Sequence, residues 1–346
     1  MRVEYARLKE SPQAAVRQAL SGSARGIAVE TSGSTGRPRE VLISAGAMTA
    51  SAQVTHSRLG GPGQWLLAVP ADRVAGAMVI ARAHLAGTDL MRIATGPFTA
   101  RSFADAVAGM DSSARRYVSL VPTQLVRVMD SAQGREALTQ LYAVLVGGAA
   151  LPAGDLPANI VATYGASETS GGCVYNGVPL EGTSVAVVDG VIRLAGPTLA
   201  DGYADGDNSR FVEHEGTRWF VTNDEGELGP DGRLRMLGRV DDVITSGGVK
   251  FHPGPIEAAV RTLPWVGEAV AVGVPDPEWG ERIEALVETK PGMAAAPWAE
   301  AREALASVLD RAALPKRCMV LGALPRLASG KIDRARARQL VKESHA

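Results

Sequence analysis

The sequence predicts an α/β protein with a large N-terminal α/β domain, residues 1–240, and a small α+β C-terminal domain, residues 241–346. Three observations carry this. Short apolar runs alternate with helical spacing through the first two-thirds, the pattern of a layered α/β domain. From 185 to 237 the pattern changes to short strands broken by Gly, Asp and Asn, which suits a distorted β-barrel portion closing the large domain. A chain of 346 residues is also too long for one ordinary domain.

The elements follow in order. Residues 27–30, 65–69, 117–121, 142–146 and 160–163 read as buried strands, and 103–109 and 124–130 as helices. The alternation argues for parallel pairing. VAVVDGVIRLAG, TRWFVTNDEG and GRLRMLG read as hairpin strands. The boundary falls at 239–242. Beyond it, 255–263, 297–311 and 333–342 read as helices, and 268–274, 283–289 and 317–321 as strands, with Gly254–Pro255 suiting a first helical turn.

Hydrophobic residues make up 46% and charged residues 21%, ordinary for a soluble globular protein, which sets aside disorder and fibrous repeats. A net charge of −1 offers no basic field, so nucleic acid is set aside as a partner. The start, MRVEYARLKESPQ, lacks the apolar core of a signal peptide. No apolar run approaches the ~20 residues that span a bilayer, so membrane insertion is not expected. Cys173 and Cys318 have no metal-ligand spacing and read as reduced thiols of a cytoplasmic protein. His56, His84, His214, His252 and His345 show no metal spacing either, and read as surface or packing residues. The five tryptophans read as core or domain contacts.

TSGSTGRPR, residues 31–39, is the strongest chemical signal. Glycines let backbone N–H groups converge on an anion, hydroxyls add donors and arginines add charge. The spacing is not that of a Walker A loop: two residues separate Gly33 from Gly36, and no Gly-Lys-Ser/Thr follows. As a bare Gly/Ser loop it is compatible with phosphate binding or with a plain turn. Lysine is scarce here, with six among 36 basic residues, so Lys331 inside a glycine-bearing loop stands out.

The whole nine-residue string resembles the phosphate loop of the adenylate-forming superfamily, which includes acyl-CoA synthetases, adenylation domains and luciferases. The resemblance assigns ATP phosphates to Thr31, Ser32, Gly33, Ser34, Thr35, Gly36 and Arg39, the last standing where the family usually has lysine. Arginine keeps the charge and alters the geometry. Gly147-Gly148-Ala149 is similar to the adenine-contacting segment, and YGASET, with Tyr164 and Gly165, to the next motif. There Glu168 would hold magnesium; taken alone, a loop glutamate is more often merely solvated. Asp224 in TND would accept the ribose hydroxyls. GRVDDVITSGGVKFHPGPIE, residues 238–257, resembles the hinge and swivelling-loop motif. In it Arg239 would contact ribose or phosphate, Asp241 would be the hinge that makes the small domain mobile, and Gly247, Gly248 and Lys250 would serve thioester formation. PRLASGK, residues 325–331, resembles the loop of the catalytic lysine, here Lys331.

Most members carry far more chain before the phosphate loop; the short o-succinylbenzoate–CoA ligases of menaquinone biosynthesis are similar in beginning near it. VPADRVAGAMVIARAHLAG, residues 69–87, resembles their substrate segment. Arg73 stands at the family's histidine. Arg82 matches the arginine that receives the acid's second carboxylate; read without the resemblance, it is a helix residue snorkelling to solvent. VPTQL, 121–125, is weakly similar as well.

The resemblance implies ATP, Mg2+ and CoA as the small-molecule set. The reaction would be activation of a carboxylic acid to an acyl-adenylate and transfer to CoA, with 2-succinylbenzoate as the acid. Other acids, a carrier protein or amine as acceptor, and a homodimer stay open. A non-catalytic relative is disfavoured because Glu168, Asp224 and Lys331 are retained together.

Overall fold

A computed structural model describes residues 4–31, 39–151, 155–327 and 332–345. Its internal contacts divide the chain into Met1–Thr222 with Glu227–Arg235, and Asn223–Gly226 with Met236–Ala346.

The first unit begins β1 (Tyr5–Arg7), α1 (Pro12–Leu20), β2 (Gly26–Glu30), β3 (Glu40–Ser44), α2 (Ala45–Arg58), β4 (Gln64–Leu67), α3 (Val74–Ala86) and β5 (Met91–Arg92). It continues α4 (Ala100–Ala108), β6 (Arg116–Leu120), α5 (Pro122–Met129), α6 (Ala132–Thr139), β7 (Ala143–Gly147), β8 (Ile160–Ala166), β9 (Gly171–Tyr175) and β10 (Val178–Pro179). Seven strands form the main sheet in the order β10-β9-β8-β7-β6-β4-β5. The pairs from β8 to β5 are parallel, while β9 and β10 add antiparallel strands at one edge. All four residues of β4 are buried, as a parallel strand covered on both faces requires.

Successive strand residues serve opposite cores. Trp65, Leu67, Tyr117 and Leu145 join a cluster with Met48 of α2 and Ala77 of α3. Leu66, Val118, Leu120, Val144 and Val146 face Phe103 of α4, Leu125 of α5 and Leu138 of α6. The result is a helix–sheet–helix sandwich, with about 1.5–3 kcal/mol from each fully buried large apolar side chain.

The first predicted strand lies elsewhere. β2 pairs parallel with β1 and antiparallel with β3, so the segment after Thr31 leads into a second sheet and not into a parallel series. The reason is local: Val41 and Ile43 are fully buried while their neighbours are not, the alternation of a half-covered strand.

The later strands are β11 (Ser184–Val188), β12 (Val191–Ala195), β13 (Gly202–Tyr203), β14 (Phe211–His214), β15 (Thr217–Leu228) and β16 (Leu234–Arg239). β13 closes the second sheet against β3. The others form a five-stranded sheet, β11-β12-β15-β14 with β16 on β15, in the stretch assigned from sequence to the barrel portion. The chain passes between the units within β15 and β16.

The second unit holds β17 (Ile244–Ser246), β18 (Val249–Phe251), α7 (Pro253–Arg261), β19 (Val266–Asp276), β20 (Gly280–Thr289), α8 (Trp298–Leu305), β21 (Arg317–Leu321) and α9 (Arg334–Glu343). Its sheet runs β18-β17-β20-β19, with β21 parallel to β20. α7 and α8 cover one core through Val260 and Leu305, and α9 covers another through Ala337 and Val341. The helix expected over 297–311 stops at Leu305. Beyond it the bonds tighten, Ser307 N–H to Ala304 O and Val308 N–H to Leu305 O, and the Ser307 hydroxyl also donates to Ala304 O. A side-chain donor of this kind competes with the helical ladder. Among the described residues no helix is long and apolar enough to cross a membrane.

Candidate active site

Parallel strands deliver their carboxyl ends to one edge, so four scattered segments converge there: 68–73 after β4, 121–125 after β6, 147–149 at the end of β7 and 164–168 at the end of β8. From β4 the chain goes out to β5 and then returns past β4 to β6, which makes a switch point where α/β sheets bind ligands. Gln124 ties two of these ends together. Its Nε2 donates to Ala68 O at 2.8 Å and its Oε1 accepts from Val121 N–H at 3.0 Å.

At this edge Gly147 is half-buried and Gly148 and Ala149 are exposed. Tyr164 ends the regular part of β8. At Gly165 a Cβ would lie 2.2 Å from Gly171 O, so only glycine allows β9 to fold back this closely.

Thr31 and Arg39 close the base of the glycine-rich loop. Thr31 N–H and its hydroxyl both donate to Arg39 O, at 2.8 and 3.2 Å. Ser32, Gly33, Ser34, Thr35 and Gly36 lie outside the described residues. The Arg39 side chain is engaged elsewhere: Nε and Nη2 donate to the Asp205 carboxylate at 2.9 and 2.8 Å, and Nη2 also reaches Asp207 O at 2.7 Å. The guanidinium stacks 3.6 Å from the Tyr203 ring centre. Asp205 raises its pKa further and is itself held below the usual carboxylate range by that bond.

Glu168 sits in a one-turn 3-10 segment, Ser167–Thr169. Its backbone carbonyl accepts from Ala200 N–H, and its Oε1 accepts from the Tyr203 hydroxyl at 2.7 Å. Oε2 has no hydrogen-bond donor among the described residues. No group of three His, Cys, Asp or Glu that could hold a metal occurs among them.

Arg82 lies in the middle of α3, 4% exposed, and does not snorkel. Among the described residues its Nε has no acceptor and the guanidinium has no ion-pair partner. It lies 5.1 Å from the Trp65 ring, whose indole N–H donates to His56 Nε2 at 3.2 Å. Burial lowers its pKa. Arg73 caps the start of α3 and donates to Glu30 O at 3.2 Å, linking α3 to the strand that precedes Thr31.

In the second unit Arg239 makes a two-pronged bond to Asp241, at 2.9 and 3.1 Å, and lies 3.9 Å from Asp224. Burial opposes its charge, but Asp241, with Asp224 and Asp242, raises the pKa overall. Gly247 and Gly248 are the two turn residues between β17 and β18, with φ of 59° and 78°. That is a type I′ turn, which requires positive φ at both positions. Lys250 is exposed on β18. Lys331 lies outside the described residues.

Three participants escaped the sequence reading. Tyr203 and Asp205 sit in GYADGD, where only the turn composition signals anything. His56 is a packing histidine, as expected, but its contact with Trp65 beside Arg82 had no signal in spacing.

Fold and edge together define an α/β enzyme of the nucleotide-binding class. Residues 30–204 match the AMP-binding enzyme family, and residues 255–331 match the AMP-binding enzyme C-terminal domain. The chain is 40% identical over 319 residues to the "Probable 2-succinylbenzoate–CoA ligase" of Mycobacterium tuberculosis, covering 89% of this chain and 82% of that protein. It is 35% identical to the 2-succinylbenzoate–CoA ligase of Salmonella typhimurium over 275 residues, 75% of this chain and 57% of that one. The o-succinylbenzoate CoA synthetase of Bacillus subtilis, solved with its acyl-adenylate intermediate, shares the fold at TM-score 0.78 and 23% identity, over 90% of this chain and 68% of that chain. The chain belongs to the AMP-binding enzyme family, the adenylate-forming ligases.

Proposed function

We propose that the enzyme activates 2-succinylbenzoate with ATP and passes the acyl group to CoA in the cytoplasm. The observation that carries the choice of acid is Arg82, a buried cation with no anion beside it among the described residues. An unpaired buried charge is costly, and a second substrate carboxylate would relieve it through charge-assisted bonds. The names of the relatives support the same acid.

In the first half-reaction a carboxylate oxygen attacks the α-phosphorus and pyrophosphate departs. Both reactants are anions, so positioning and electrostatics dominate. Thr31 and the loop it closes would meet the phosphates. Gly147, Gly148 and Ala149 would lie along adenine, with Tyr164 and Gly165 beside them, and Asp224 would take the ribose hydroxyls. Because the Arg39 fork is held by Asp205, its contribution to the phosphates would pass through the loop it anchors. Glu168 fits magnesium, since Oε2 is a hard oxygen with no donor among the described residues, and phosphates and water can complete the shell. When bound, the ion supplies charge neutralisation for the departing pyrophosphate. Lys331 would bridge the acid and the α-phosphate. In the second half-reaction the small domain would turn about Asp241, and Gly247, Gly248 and Lys250 would serve attack of the CoA thiol on the acyl carbonyl, releasing AMP.

The deciding experiment is mass spectrometry of products from a mixed-acid pool with ATP, magnesium and CoA. 2-Succinylbenzoyl-CoA as the main product supports the proposal. Another acyl-CoA, or adenylate without thioester, overturns the acid or the acceptor respectively.

A further inference from the structure

Tyr203 is buried, 5% exposed, and is fixed from several sides. Its strand pairs with β3 at Val41, its N–H donates to Asn208 Oδ1 at 2.9 Å, and its ring packs edge-on against Phe211. The hydroxyl donates to Glu168 Oε1 at 2.7 Å, and the ring face carries Arg39. Asp205, two residues on, holds the fork of the same Arg39.

A carboxylate on a one-turn segment can rotate. Tying one oxygen to an immobile phenol selects one orientation before any ligand arrives, which is how a supporting group preorganises a ligand-binding side chain. We propose that Tyr203 is a positioning residue for adenylation: its hydroxyl fixes Glu168 through Oε1 and leaves Oε2 for a divalent cation bound with the ATP phosphates, while its ring seats the arginine that closes the phosphate loop. This rests on the adenylation reading only in giving Glu168 that task.

Tyr203→Phe keeps the ring and removes the hydroxyl. Three quantities are measured: Mn2+ binding with ATP by electron paramagnetic resonance, acid-dependent ATP–pyrophosphate exchange, and thioester formation from supplied acyl-adenylate. The variant should raise the Mn2+ midpoint and lower exchange by about tenfold or more, the loss expected for a hydrogen bond to a charged group. Thioester formation from the adenylate should stay within about twofold, because that step no longer needs the phosphates held. An unmoved Mn2+ midpoint, or parallel loss in both half-reactions, overturns the proposal. Glu168→Gln is the companion variant: if it leaves the Mn2+ midpoint unmoved, Glu168 is not the cation's ligand and Tyr203 has nothing to position. If the wild-type protein adenylates no acid, the functional reading fails while the Mn2+ midpoint of Tyr203→Phe still decides this one.

Discussion

Trp65 donates its indole N–H to Nε2 of His56 across 3.2 Å, beside Arg82, whose Nε has no acceptor among the described residues. The bond requires a neutral imidazole whose own proton sits on Nδ1. Burial, and then the charge of Arg82, push the pKa of His56 down to about 4. A buried aromatic, a neutral histidine and a cation with no ion-pair partner among the described residues thus form one buried wall.

That wall predicts a pH dependence of stability. The folded pKa of His56 lies below its unfolded value of about 6.5, so between the two the unfolded chain binds more protons. Its contribution is intact above about pH 6.5 and is lost as pH falls towards about 4, by at most about 3 kcal/mol. His56→Gln retains an acceptor for Trp65 but cannot titrate. Urea midpoints at neutral pH and near pH 5 should therefore fall less in His56→Gln than in the wild type. Parallel falls would remove His56 as their source.

Arg82 predicts opposite effects on stability and activity. Replacing a buried, unpaired cation by an apolar side chain of similar length removes a desolvation cost. Arg82→Met should raise the Tm of the first unit by about 2 °C, the shift that roughly 1 kcal/mol gives in a unit of about 230 residues. Its kcat/KM for 2-succinylbenzoate should drop about 10–150-fold, the worth of a charge-assisted bond, with ATP affinity little changed. An equal loss on a monocarboxylate analogue would show that Arg82 does not read the second acid.

What was legible in the sequence was local. The hairpin that turns at Asp189–Gly190 and the buried runs of β4 and β7 each lie within about ten residues, the range over which turn and periodicity rules act. Less legible was what depends on sheet pairing. Tyr203 meets Glu168 across 35 positions only because β13 joins β3 in a second sheet, and no spacing rule announces that. The same pairing turns Arg39 towards Asp205, so keeping the charge of the family's lysine did not foretell where the fork would go. The helix over 297–311 was overextended because its apolar period continues past the point where Ser307 intervenes.

Lys331 predicts a split between half-reactions. If it bridges the acid and the α-phosphate, Lys331→Ala should lower acid-dependent pyrophosphate release by several orders of magnitude. The variant should still convert supplied acyl-adenylate and CoA to thioester near the wild-type rate. Stopped assays of each half-reaction measure this, and comparable loss in both would withdraw the assignment.

Asp241 predicts a different split, and its contacts complicate the test in a useful way. The residue lies in the 3-10 segment Val240–Asp242 and holds Arg239 with both carboxylate oxygens. A hinge residue absorbs a large φ/ψ change between two otherwise rigid bodies. Proline fixes φ near −65° and disfavours helical backbone at the preceding residue, here Val240. Asp241→Pro therefore changes two things, the freedom to turn and the grip on Arg239. Asp241→Ala keeps the freedom to turn and removes the carboxylate's contacts, the grip on Arg239 among them. If Asp241 is the hinge, Asp241→Pro should retain adenylation and accumulate bound acyl-adenylate, while CoA-dependent turnover falls at least about a hundredfold, or ~2.7 kcal/mol on that barrier. Asp241→Ala should keep the two half-reactions in their wild-type ratio, with any loss shared between them through Arg239. If Asp241 only holds Arg239, the two variants should behave alike in both half-reactions. Rapid-quench measurement of each step, with melting curves for both variants, separates these outcomes. A thioester rate near wild type in Asp241→Pro would place the hinge at another residue.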